Sequence, residues 1–215
     1  MTDDLRDSVA AAARRLAAEG LLIGTAGNVS ARAGARIAVT ATGVVLSGCT
    51  PDEVTVVAED GAVLEGDLVP TSELDLHLGI YATTSTAAVV HTHAPYSTAA
   101  ACVLDELPVL HYQHLLLGGA IRVAPYATFG TTELARAVRE ALADRQAALM
   151  ANHGSVAIGS SLEKAVDNAL LLEWLATLHH RAAALGTPRA LSDDEQVAVI
   201  TAALQRNYGS TQENQ

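Results

Sequence analysis

Leu5, Val9, Ala12 and Leu16 recur at the spacing of one helical face, and Gly20 closes the run, so the pattern predicts a helix over residues 3–19. The stretch LLIGTAGNVSARAGARIAVTATG alternates Gly-rich turns with short β-prone runs and predicts a meander of strands. VTVVAEDGAVLEG predicts a hairpin closed at Asp60-Gly61. SELDLHLGIYAT predicts a helix with Ser72 as its N-cap. AAVVHTHA has the composition of a buried strand, and PYSTAAACVL that of a short helix after it. Another helix is expected over residues 130–145, starting at Thr131 or Thr132. AALMANHGSVAIG reads as strand–turn–strand, with the turn at Asn152-His153-Gly154. The longest helix is expected from about residue 161 to 185, opened by the capping-box spacing Ser160…Glu163 and closed by Gly186. A last helix starts at a second such box, Ser192…Glu195, and ends near Tyr208-Gly209.

Strands in the middle with helices around them predict an α/β fold, a three-layer α/β/α domain. Most strand links are too short for parallel crossovers, so the central sheet is expected to be antiparallel-rich. No internal repeat or linker divides the chain, and residues 1–215 are read as a single domain.

Composition narrows the function. Half of the residues are apolar and 17% are charged, the reverse of a disordered chain. No apolar run reaches the ~18 residues of a membrane span. The charged, amphipathic N-terminus lacks the unbroken apolar stretch of a signal peptide. A net charge of −11 speaks against nucleic acid or an anionic membrane as a partner. Cys49 and Cys102 form no CxxC pair, which fits a reducing cytoplasm and neither a disulfide scaffold nor a cysteine zinc site. Lys164 is the one lysine, so Schiff-base chemistry has one candidate.

The eight histidines carry more information. His91 and His93 stand two apart on a predicted strand, where alternation puts both imidazoles on one face. His153 lies at a Gly-flanked turn between two apolar strands. Three imidazoles around Zn²⁺ leave an open position for substrate, as a catalytic zinc site requires. A chance pair on a half-buried strand is the plainer reading of His-x-His. His77, His179 and His180 sit on predicted helices without a partner pattern and are read as structural or exposed. His111 and His114 stay open. Glu73 falls in the first turn of a helix, where the dipole favours any acid; beside Thr71 and Ser72 it could also act as an acid/base. Gly24–Ser30 and Thr42-Gly43 match neither a Walker loop nor a dinucleotide fingerprint. They read as ordinary turns, or as a phosphate cradle built from backbone N–H groups and hydroxyls in a chain almost without lysine.

Taken in order, GTAGNVSAR (24–32), TATG (40–43), SELDLHLGIY (72–81), VVHTHA (89–94), HY (111–112), APYATFGT (124–131), NHG (152–154) and LSDDE…YG (191–209) resemble the class II aldolase/adducin family over nearly the whole chain. The tail STQENQ departs from the family pattern. The resemblance implies Zn²⁺ held by His91, His93 and His153, with Glu73 as ligand or base. It implies a phosphate site from Thr25, Asn28, Thr42, Gly43, Thr71 and Ser72. Tyr112, Phe129 and Tyr208 fall where the family lines the aldehyde side of the site. A C4 homotetramer with sites between neighbouring subunits, and Tyr112 reaching in from one of them, is also implied.

The activity implied is reversible cleavage of a ketose 1-phosphate to dihydroxyacetone phosphate and a short aldehyde through an enediolate, with Glu73 handling the proton at C3 and Tyr112 the C4 oxygen. L-Fuculose 1-phosphate, giving L-lactaldehyde, leads because Phe129 and Tyr208 would form an apolar patch for a methyl terminus. The family also contains a 4-epimerase of L-ribulose 5-phosphate, which carries Asp in place of Glu73, and a dehydratase of methylthioribulose 1-phosphate. Non-catalytic adducin-like modules share the fold, but would not need the His91/His93/His153/Glu73 set.

Overall fold

The computed structural model describes residues 2–206. Its helices there are α1 (Thr2–Ala18), α2 (Leu74–Thr83), α3 (Pro95–Ala101), α4 (Thr132–Ala141), α5 (Leu162–Leu185) and α6 (Asp193–Arg206). Its strands are β1 (Asn28–Ala33), β2 (Arg36–Thr40), β3 (Val54–Ala58), β4 (Val63–Glu65), β5 (Ala88–Thr92), β6 (Glu106–Leu107), β7 (Ile121–Ala124), β8 (Ala147–Met150) and β9 (Gly154–Gly159). Among the described residues these strands make one sheet in the order β4-β3-β2-β1-β5-β9-β8-β7-β6. β7 runs parallel to β8, and the other described pairings are antiparallel, as short connections require.

The central strands are buried on both faces, which is why they read as mainly apolar runs rather than alternating ones. Alternation survives in what each side chain packs against. Val90, Leu149 and Ala157 join the core under α1, α3 and α5, while Val89, Ala148, Met150, Val156 and Ile158 join the core under α2 and α4. The result is helices on both faces of one sheet, an α/β/α sandwich. Each such Val, Leu or Ile contributes about 1.5–3 kcal/mol relative to an exposed position. By the same alternation His91 follows Val89 to the α2 side of β5.

Local signals in the sequence appear where expected, with small offsets. The Asp60-Gly61 turn closes β3 onto β4, with Asp60 Oδ1 accepting from the Ala62 N–H. Ser192 and Glu195 form a reciprocal box at the start of α6, Ser192 N–H to Glu195 Oε2 at 2.7 Å and Glu195 N–H to Ser192 Oγ at 3.3 Å. The expected end of that helix near Tyr208 lies outside the described residues. Ser161, not Ser160, caps α5, its Oγ accepting from the Lys164 N–H. Glu73, not Ser72, is the N-cap of α2, because the hydroxyl of Thr71 takes the Glu73 N–H and leaves Ser72 outside the helix. Glu73 therefore stands at the cap and not within the first turn. β6, β7 and a 3₁₀ helix over Tyr112–Leu117 have no counterpart in the predicted elements. No helix among the described residues is long and apolar enough to cross a membrane.

Candidate active site

The end of β5 and the turn between β8 and β9 converge in the middle of this sheet. His91 is the fourth residue of β5, paired across the sheet with Asn28 on one side and Val156 on the other. His93 lies just past the end of β5, and His153 in the turn between β8 and β9. Asn152 turns the chain there with φ +55, a left-handed conformation that Asn tolerates better than most residues. Gly154 has to be glycine: a Cβ would stand 2.3 Å from the Thr92 carbonyl and 3.3 Å from the rings of His91 and His93. Glu173 on α5 accepts from the N–H groups of Tyr96 and Ser97, at 2.9 and 2.8 Å, and so anchors the segment that leaves His93.

The imidazoles of His91, His93 and His153 face one another with centroids 4.8 to 5.0 Å apart, and their ligand atoms lie within 4.8 Å of one another. His91 Nδ1 donates to the Ser155 carbonyl at 2.9 Å, which turns its Nε2 lone pair toward the other rings and Glu73. Glu73 Oε2 lies 3.0 Å from His91 Nε2, and Oε1 lies 3.5 Å from His153 Nε2. Oε1 is buried, with no hydrogen-bond partner among the described residues. A buried carboxylate oxygen left unpaired beside three imidazole nitrogens is a donor set that fits a divalent cation.

Burial alone would raise the Glu73 pKa, but hydrogen bonding and charge interaction with His91, then Asn28 and His153, override it and hold the carboxyl well below the usual carboxylate range. Burial, with the neighbouring His91 and His153, lowers His93 to about 4. Burial and His91 lower His153 in the same direction. Neutral imidazoles and an ionised carboxylate are the protonation states that bind a metal.

A cavity of about 310 Å³ opens in front of these groups. The predicted phosphate residues Thr25, Asn28, Thr42, Gly43, Thr71 and Ser72 all line it, together with Glu73, His93, His153 and Phe129. Gly27 brings the backbone close: it has φ +94, and a Cβ there would stand 2.8 Å from the His91 carbonyl. The structure does not bring Tyr112 to the cavity of its own chain. Tyr112 is partly exposed, with its ring 4.3 Å from that of His111, which in turn meets Trp174 at 5.1 Å. Tyr208 lies outside the described residues. Sequence reasoning missed Tyr126 and Asn152, which also line the cavity. His77, read from the sequence as structural or exposed, is buried with its Nε2 2.5 Å from Asn28 Oδ1.

The family model described as "Class II Aldolase and Adducin N-terminal domain" matches residues 7–180. The chain is 36% identical over 193 residues to a 5-deoxy-D-ribulose 1-phosphate aldolase of Bacillus thuringiensis serovar kurstaki, covering 88% of this chain and 91% of that one. It is 38% identical over 198 residues to a 5-methylthioribulose-1-phosphate/5-deoxyribulose-1-phosphate aldolase of Rhodospirillum rubrum, covering 91% and 89%. Among solved structures it is similar to an L-fuculose 1-phosphate aldolase, with a TM-score of 0.88 at 32% identity over 93% of this chain and 95% of that one.

Proposed function

The chain belongs to the class II aldolase and adducin family, and from this premise we propose that it reversibly cleaves a ketose 1-phosphate to dihydroxyacetone phosphate and a short aldehyde. The observation that carries the reading is Glu73, buried against three converging imidazoles at the floor of a cavity walled by hydroxyls and backbone. An adducin-like binding module would have no use for that costly group. The relatives named for 5-deoxyribulose and methylthioribulose phosphates, and the neighbour named for L-fuculose 1-phosphate, act on ketoses whose far end is methyl or methylthiomethyl. The exposed rings of Tyr126 and Phe129 at the cavity rim suit such an apolar end. The substrate class inferred is therefore a ketose 1-phosphate with an apolar terminus, wider than L-fuculose 1-phosphate alone.

His91, His93 and His153 would hold the cation, with Glu73 as a further ligand, and three imidazoles suit Zn²⁺. A divalent cation bound there supplies Lewis-acid stabilisation of the negative charge that develops on the ketose oxygens. The chain's own residues do the rest. Thr25, Asn28, Thr42, Gly43, Thr71 and Ser72 offer hydroxyl, amide and backbone donors for the phosphate, with no lysine among them. Glu73, ionised and aimed into the cavity, returns and removes the proton at C3 of the three-carbon fragment. Tyr112 exchanges the proton of the C4 oxygen that becomes the aldehyde. It does so in a neighbouring copy's cavity, within the C4 homotetramer with shared sites that the family resemblance implies. Tyr208 completes the aldehyde side. Two free cysteines among the described residues suit the cytoplasm as the place of reaction.

The test is parallel incubation of purified protein with 5-deoxyribulose 1-phosphate, L-fuculose 1-phosphate, methylthioribulose 1-phosphate and L-ribulose 5-phosphate. Dihydroxyacetone phosphate from any of the first three supports the aldolase. Xylulose 5-phosphate from the last, or loss of water without C–C cleavage from the methylthio substrate, would replace it with the epimerase or dehydratase.

A further inference from the structure

Asn28 and Ser30 stand two apart on β1 and share one face, while Glu73, His77 and Tyr81 stand four apart along α2 and share one stripe. The two rows interleave into one buried ladder. Asn28 Nδ2 lies 3.0 Å from Glu73 Oε2, and Asn28 Oδ1 lies 2.5 Å from His77 Nε2. His77 Nδ1 lies 2.6 Å from Ser30 Oγ, which is 2.7 Å from the Tyr81 hydroxyl. Donors and acceptors in this ladder have one consistent order. An amide oxygen only accepts, so His77 Nε2 carries the hydrogen. The neutral ring then accepts at Nδ1 from the Ser30 hydroxyl, and Ser30 accepts from the Tyr81 hydroxyl. Burial keeps the ring neutral, pushing the His77 pKa down to about 3.

We propose that His77 is a positioning residue, whose Nε2–H locks the Asn28 amide so that its N–H donors, and not its oxygen, face Glu73 and the cavity. Without that lock the amide can turn over. The turned form sets its oxygen against a carboxylate oxygen, two acceptors at contact distance, and pushes Glu73 off the imidazoles. A donor-only face suits both anions of the site, the Glu73 carboxylate and a substrate phosphate. The inference rests on the proposed role of Glu73 as metal ligand and acid–base group. A histidine that only filled the core would work equally well with either ring nitrogen paired.

Two substitutions separate the ring nitrogens. In His77→Gln the longer side chain carries an amide NH₂ to the place of Nε2 and keeps a donor for Asn28. In His77→Asn the shorter amide reaches only the place of Nδ1, which keeps a partner for Ser30 and loses the donor to Asn28. Zinc affinity is read by competition with a chelator, kcat by release of dihydroxyacetone phosphate, and folding by circular dichroism. His77→Asn should lose about 10–100-fold in both zinc affinity and kcat while His77→Gln stays within about threefold of wild type, the range expected for a partner of a metal-site ligand. Equal losses in the two, or a loss in neither, overturn the proposal. If neither variant folds, ¹⁵N NMR of the histidine rings in the wild-type protein decides: a hydrogen on Nε2 of His77 supports the lock, and a hydrogen on Nδ1 overturns it. A wild-type protein that binds zinc yet cleaves no ketose 1-phosphate sinks the reaction proposed above. The zinc-affinity comparison still decides for His77.

Discussion

His91 Nε2 faces Glu73 Oε2 at 3.0 Å, with both side chains inside the protein. His91 donates to the Ser155 carbonyl through Nδ1, which aims Nε2 at a carboxylate oxygen and at His93 Nε2, also 3.0 Å away. A nitrogen and a carboxylate oxygen at that distance share a proton, as in the hydrogen bond that holds the Glu73 carboxyl low, or a metal cation in its place. The backbone of β5 and β9 and the Thr71 hydroxyl, which accepts from the Glu73 N–H, hold the pair in place. The fold thus keeps an arrangement that favours a cation.

Activity should accordingly depend on a divalent metal and on no lysine. Chelation is expected to abolish turnover, and zinc to restore it. Lys164 is exposed at the start of α5 and does not line the cavity. Borohydride with substrate should leave it unlabelled; covalent trapping at Lys164 would sink the metal mechanism.

Glu73→Gln keeps the size of the side chain and removes its charge and basicity. The variant should fold and bind substrate while losing at least ~10²-fold in kcat, the scale of a missing acid–base group. His91→Ala should lose bound metal as well, which elemental analysis reads directly. Near-normal kcat in Glu73→Gln would rule out the proton-transfer role.

The elements were readable where a local signal is strong. Val54, Thr55, Val56 and Val57 are β-branched, Asp60-Gly61 favours a turn, and Ser192 with Glu195 forms a reciprocal box. Caps were misplaced by one residue at Thr71-Ser72-Glu73 and at Ser160-Ser161 because adjacent hydroxyls compete and tertiary packing chooses between them. β6 and β7 are too short for a period to show, and their pairing depends on distant partners. His91, His93 and His153 stood out by spacing and by the turn at Gly154. His77 did not, because its partners Asn28 and Ser30 lie 49 and 47 positions away.

Tyr112 lies away from the cavity of its own chain, so the proposed mechanism requires it from a neighbour. Tyr112→Phe and Glu73→Gln are each expected to be nearly inactive alone. Mixed oligomers of the two should regain part of the wild-type rate, because some sites then hold both intact groups. Failure to regain activity on co-expression counts against a shared site.

Stability should fall as pH drops below 6.5, and His114 should account for part of the slope. His114 is buried in the 3₁₀ helix; its Nδ1 donates to the His111 carbonyl at 3.0 Å, and its Nε2 has no partner among the described residues. Burial, partly offset by that bond, lowers its pKa to about 4, and burial lowers His77 to about 3. The unfolded chain titrates these rings near the ordinary 6.5, so between that pH and the folded pKa it binds more protons than the folded chain. Stability contributed by each ring is therefore present above pH 6.5 and is lost as pH falls toward the folded pKa, at up to about 1.4 kcal/mol per pH unit for each histidine. His93 and His153 shift in the same direction and add to the slope in metal-free protein. His114→Asn keeps a donor for the His111 carbonyl and removes the titrating ring. Urea denaturation of metal-free protein at pH 7.5, 6 and 5 should show a shallower loss of stability for this variant than for wild type. An unchanged slope in His114→Asn would mean that the buried ring takes up its proton without unfolding.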